Sequence, residues 1–176
     1  MREDTRVTKV YRFEELSDTA QEKAMEKLYD INVDYSWWDC VYEDAKNIGI
    51  EIKEFDIGRG SYCKGTFTES ELDVAENILK EHGKDCETYM DAYEFVRIIA
   101  LAENAYRRDW PDEFDADGEF DVAYYCPDEL EWFQQTIFEN YRLILRKEYD
   151  YLTSEEAIRD MIEANDYEFT EDGRIY

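Results

Sequence analysis

The chain has 176 residues, 46 of them Asp or Glu against 20 Lys or Arg, and a formal net charge of −26. Hydrophobic residues make up 44 %, enough for a packed core, which excludes a disordered acidic tail. No stretch approaches the ~20 apolar residues of a membrane span, and the charge argues against direct contact with nucleic acid, whose affinity rests on Lys and Arg at phosphates.

In chain order, residues 7–13 (VTKVYRF) alternate as a first strand would. Ser17 then stands as N-cap of a helix with Ala20, Ala24, Leu28 and Ile31 at helical spacing. Asp34 or Ser36 can cap a second helix through Trp37, Trp38, Val41 and Ala45, which Gly49 ends at positive φ. Residues 50–57 read as a strand whose alternation changes phase near Glu54, the mark of a bulge. Gly58 and Gly60 turn it into a partner strand, Tyr62 to Thr68.

Thr68 and Glu71 have capping-box spacing and open a helix carrying Leu72, Ala75, Ile78 and Leu79, closed by Gly83. A further helix runs from about Cys86 to Arg108 with Tyr93, Val96, Ile99 and Ala100 as its core stripe. After a loop between Pro111 and Gly118, residues 119–125 (EFDVAYY) alternate as a third strand. Pro127 suits a first helical turn, and the helix after it carries Leu130, Phe133, Ile137, Tyr141, Ile144 and Leu145. Thr153 and Glu156 repeat the capping-box spacing before a last helix with Ala157, Ile158, Met161 and Ile162. The tail, YEFTEDGRIY, reads as strand, Asp-Gly turn and strand. The expected fold class is α+β, a small, mainly antiparallel sheet covered by about five to six helices in one acidic domain over 1–176.

The acidity is concentrated. From Asp109 to Asn140 there are 11 acids and no Lys or Arg. A partner-binding surface is expected there, built from Asp112, Glu113, Asp115, Asp117, Glu119, Asp121, Asp128, Glu129 and Glu131, with Trp110 and Trp132 as aromatic anchors. Phe114, Phe120, Tyr124, Tyr125 and Phe133 are interleaved with the acids. Carboxylates on a rigid surface can imitate duplex phosphates, so the expected partner is a basic, nucleic-acid-binding protein.

Chemical sites are sparse. The run from Glu113 to Tyr124 matches an EF-hand loop at its early acids and at Gly118, but has Tyr124 where a bidentate Glu is needed. His82, the one histidine, stands beside Gly83 at a helix end, where a cation suits the dipole. The turn Gly58-Arg59-Gly60-Ser61 lacks the Lys of a phosphate loop. Cys40, Cys63, Cys86 and Cys126 show no CxxC spacing, so no metal, no cofactor and no catalytic centre is expected, and the thiols read as mostly buried. The opening MREDTRVTKV lacks the apolar core of a signal peptide, which leads to a cytoplasmic setting with reduced thiols.

Two segments carry a resemblance: ELSDTAQEKAMEKLYDINVDYSWWDCVYEDAKNIGIEI near the start and EYDYLTSEEAIRDMIEANDYEFTEDGRIY at the end. Both resemble a group of small acidic phage and prophage proteins, some labelled antitoxin-like, with ELS, DY.WW and AN.YEFTEDG motifs. Residues from about 60 to 125 depart from that pattern. The resemblance implies a phage context, and by analogy an anti-defence inhibitor of the anti-CRISPR or anti-restriction kind, acting on a host CRISPR effector or restriction enzyme as a DNA mimic. The alternative is an antitoxin neutralising a cognate toxin. A homodimer through the Tyr- and Trp-rich surface is a further expected arrangement.

Overall fold

The computed structural model describes residues 7–110, 118 and 120–176. The elements are α1 (Asp18–Lys27), α2 (Asp39–Asn47), β1 (Ile50–Asp56), β2 (Tyr62–Phe67), α3 (Glu71–Glu81), α4 (Glu87–Asp109), a single turn α5 (Val122–Tyr125), α6 (Pro127–Leu152) and α7 (Glu155–Ala164). A short 3-10 turn over Phe13–Glu15 precedes α1. This is an α+β fold with one small antiparallel sheet, as expected. Among the described residues no helix is long and apolar enough to cross a membrane. By their contacts the residues group into two compact units, one of residues up to Trp37 with Lys147–Tyr176, the other Trp38–Arg146.

The first unit is built from both chain ends. Ala20, Ala24 and Leu28 of the α1 region share a buried cluster with Ile158 and Ile162 of α7, closed by Phe13, Leu16 and Phe169. Phe13 and Phe169 meet edge-on at 6.0 Å. The strand expected over 7–13 contracts to one bridge, in which Tyr11 and Phe169 exchange two 2.8 Å backbone hydrogen bonds. Glu15 ends it: its carboxylate accepts from the Arg12 N–H at 2.8 Å and turns the chain into the 3-10 turn. The C-terminal hairpin is likewise a single bridge, Phe169 to Ile175. Its turn glycine, Gly173, has φ +77°, and a Cβ there would lie 2.2 Å from the Ala20 carbonyl. Two constraints therefore demand glycine, the left-handed backbone and the approach to α1. Asn32 is buried and donates to the Leu152 carbonyl at 3.0 Å, satisfying one of the orphan acceptors at the end of α6.

In the second unit, the first five turns of α6 lie against the hairpin and α4. Phe133 stacks on Phe95 of α4 (4.2 Å, 8°) and meets Phe67 of β2 edge-on (5.8 Å, 85°). The hairpin register shifts between Ile52 and Glu54, where the change of phase predicts a bulge. Gly49 follows α2 at φ +88°, also as predicted.

Other expectations need correction. Helix α2 begins at Asp39, with Trp38 rather than Asp34 or Ser36 in the N-cap position. Helix α3 is capped by Ser70, whose Oγ accepts from the Asp73 N–H, because the Thr68 N–H extends the hairpin by bonding the Gly49 carbonyl. Helix α7 is capped by Ser154; Thr153 instead donates its hydroxyl to the Tyr149 carbonyl. Gly83 follows the end of α3 as expected, with the extended His82 as the C-cap between Glu81 and it. The buried face of α4 is Thr88, Ala92, Phe95 and Ile99, so Tyr93 and Ala100 point to solvent. Residues 122–125 are helical rather than a strand, because the Asp121 carboxylate caps them by accepting from the Tyr124 N–H at 3.2 Å.

Candidate functional site

The expected acidic surface begins where α4 ends. Trp110 closes the helix with its N–H on the Tyr106 carbonyl, 2.8 Å away. The basic residues here are engaged locally. Arg107 bonds Glu103 and the Gly118 carbonyl, and Arg108 bonds Asp109, which holds the Asp109 carboxyl below the usual range. Phe120 is buried; it stacks on Tyr125 at 5.0 Å and leans on Tyr106 at 5.8 Å. This aromatic knot fixes α5 against the end of α4. Tyr124 turns outward from it.

Cys126 then links α5 to α6, its N–H on the Val122 carbonyl and its own carbonyl accepting from Leu130. Asp128 and Glu129 sit in the first turn of α6, where the unsatisfied N–H groups favour negative charge. Asp128, Glu131, Trp132 and Gln135 recur at spacings of three and four and share the outward face of the helix, with Gln135 donating to Glu131 at 2.8 Å. Asp121, Asp128, Glu129 and Glu131 have no Lys or Arg in ion-pair range among the described residues, unlike Glu139, which pairs with Arg142.

The anchors divide into two groups. Trp110 (56 % exposed), Tyr124 (75 %) and Trp132 (37 %) face solvent, whereas Phe120 and Phe133 are core. Asp112, Glu113, Asp115, Asp117 and Glu119 lie outside the described residues, as do Phe114 and half of the EF-hand-like run. Tyr124, at that run's last position, is on α5. Among the described residues no three His, Cys, Asp or Glu side chains gather as a metal site would need.

One polar constellation was not foreseen. The His82 side chain, only 10 % exposed, places Nδ1 2.7 Å from Thr88 Oγ1 and Nε2 3.5 Å from Asp44 Oδ1. The Tyr141 hydroxyl donates to the other Asp44 oxygen at 2.7 Å. The Cys86 thiol donates to the Gly83 carbonyl and lies 3.3 Å from Thr88 Oγ1. The facing His82 imidazole, followed by the hydrogen bond from Tyr141, lowers the Asp44 carboxyl against the opposing effect of burial. Burial first, then the neighbouring carboxylate, pushes the Tyr141 phenol up. Alongside, Asn140 on α6 donates to Asp91 on α4 at 2.7 Å. These bonds tie α2, the end of α3, α4 and α6 together, and so set the frame from which the α6 acids project. Of the four free cysteines, Cys63 and Cys126 are buried, Cys86 is half-buried and Cys40 is exposed.

Compared with family models, with curated proteins and with solved structures, the chain matches none.

Proposed function

We propose that the protein is a non-catalytic inhibitor of phage type that presents the α5–α6 junction to a basic, nucleic-acid-binding host protein, such as a CRISPR effector or a restriction enzyme. The carrying observation is the outward face of α6, where Asp128 and Glu131 have no ion-pair partner among the described residues and stand beside the exposed indole of Trp132. The support from sequence is the run from Asp109 to Asn140 without Lys or Arg. A groove that releases counterions on meeting phosphates gains in the same way from carboxylates held on a helix. Trp132 supplies the apolar contact that charge alone lacks. The reading sets the protein in the host cytoplasm, with no cofactor.

The test is a pull-down from host lysate at low and high salt, followed by competition with duplex DNA. Capture of a basic nuclease or CRISPR complex at low salt, lost at high salt and displaced by duplex, supports the reading. So does loss of capture on changing Asp121, Asp128 and Glu131 to their amides. A partner held regardless of salt and DNA overturns it, and a small toxin as that partner would put an antitoxin in its place.

A further inference from the structure

Helix α4 is apolar on two opposite faces. Thr88, Ala92, Phe95 and Ile99 face the core. Met90, Tyr93, Ala100 and Leu101 form a second stripe, and Met90, Tyr93 and Leu101 are each more than half exposed. At 3.6 residues per turn the two stripes lie on opposite sides of the helix. Within the outer stripe the charges are Arg97 and Glu94, which bond each other through both guanidinium and carboxylate groups, so the stripe is locally neutral on a chain of net charge −26. A basic partner is drawn to the acidic faces and gains nothing electrostatic here. The occupant must suit a neutral, apolar strip.

We propose that the outer face of α4 is a homodimer interface, in which two copies of this chain pair their α4 helices antiparallel about a two-fold axis. The order of side chains is self-complementary under that operation. When Met90 of one copy stands opposite Leu101 of the other, Glu94 stands opposite Arg97 and Arg97 opposite Glu94. Each copy's ion pair then joins a four-charge ring. The apolar residues at its two ends close over each other, with Ala100 allowing the helices to approach. Any other pairing of the stripe with itself gives up either the apolar match or the charge match.

The two copies repel at long range because both are strongly acidic. Added salt screens that repulsion, while the apolar contacts and the short-range ion ring survive. Self-association therefore strengthens with salt, opposite in sign to capture of a basic protein by α6, and the two readings fail independently.

The experiment is sedimentation equilibrium of the full chain at low and high sodium chloride. The expected result is an apparent mass rising from 21.2 kDa toward twice that value, more readily at high salt. Leu101→Lys should weaken association about ten-fold or more. Glu94→Arg alone and Arg97→Glu alone should each be monomeric, and an equimolar mixture of the two should dimerise, since one then presents two arginines to the other's two glutamates. Circular dichroism of each variant confirms the fold. A chain that stays monomeric at both salts, or a mixture of the charge variants that does not associate, overturns the proposal.

Discussion

The Tyr141 hydroxyl, fully buried on α6, donates a 2.7 Å hydrogen bond to Asp44 on α2, whose other carboxylate oxygen faces the His82 imidazole. Removing the hydroxyl leaves a charged acceptor short of one donor. Tyr141→Phe should cost about 2 kcal/mol, read as a lower urea midpoint at unchanged slope.

The same carboxylate gives a pH signature. Asp44 is held below its ordinary value, chiefly by the facing His82 imidazole, so the native state binds fewer protons there than the unfolded chain. The stabilisation is present above the unfolded carboxyl value, about pH 4, and is lost as pH falls through the lower folded value. Acid also relieves the repulsion of a chain at −26, so the difference between proteins is the informative quantity. Asp44→Asn should be less stable than the parent at pH 7, and the gap should narrow below about pH 4 in parallel urea titrations.

Gly173 carries a turn at φ +77° and has no room for a Cβ beside the Ala20 carbonyl. Gly173→Ala should destabilise the unit built from the chain ends by about 2 kcal/mol or more. Amide exchange at Tyr11 and Phe169 should accelerate, while exchange in the hairpin Ile50–Phe67 should not. Equal acceleration in both places would show that Gly173 matters to the whole chain rather than to its own turn.

Thiol chemistry should follow burial. Cys63, on β2 of the hairpin, is buried, and burial pushes its thiol up to about 11, whereas Cys40 is exposed. A disulfide reagent at pH 8 should titrate Cys40 first and leave Cys63 unreacted until denaturant is added. Cys40→Ser should abolish the fastest phase.

Phe133 has rings on two sides, stacked on Phe95 and edge-on to Phe67. Phe133→Ala should cost about 3–5 kcal/mol by calorimetry. Trp132→Ala, next in sequence but partly in solvent, should cost far less and act on partner capture instead.

The readable parts of the sequence were those whose signal is local. Gly49, the bulge near Glu54, Pro127 and the core positions Phe133, Ile137, Tyr141 and Leu145 each declare themselves within a few residues. Where two local signals compete, packing decides. Thr68 and Ser70 both suit an N-cap, and the hairpin claims Thr68. Helix α4 has apolar residues on both faces, so its periodicity fits two stripes, and Phe95 against Phe133 selects the inner one. The alternation in 119–125 resembles a strand until Asp121 folds back as a cap. The constellation of Asp44, His82, Thr88 and Tyr141 leaves no mark in the sequence, because its members come from separate elements and meet only when those elements pack.

Tyr11 and Phe169 bond each other from opposite ends of the chain, whereas the unit from Trp38 to Arg146 is one continuous stretch. During synthesis Tyr11 precedes Phe169 and lacks this partner until the segment 147–176 has left the ribosome. The continuous unit can assemble in the meantime, and doing so shortens the loop that the two ends must close. A released chain ending at Arg146 should hold a formed hairpin over Ile50–Phe67 and leave Tyr11 unprotected, so a change in residues 147–176 disables a segment synthesised well before them.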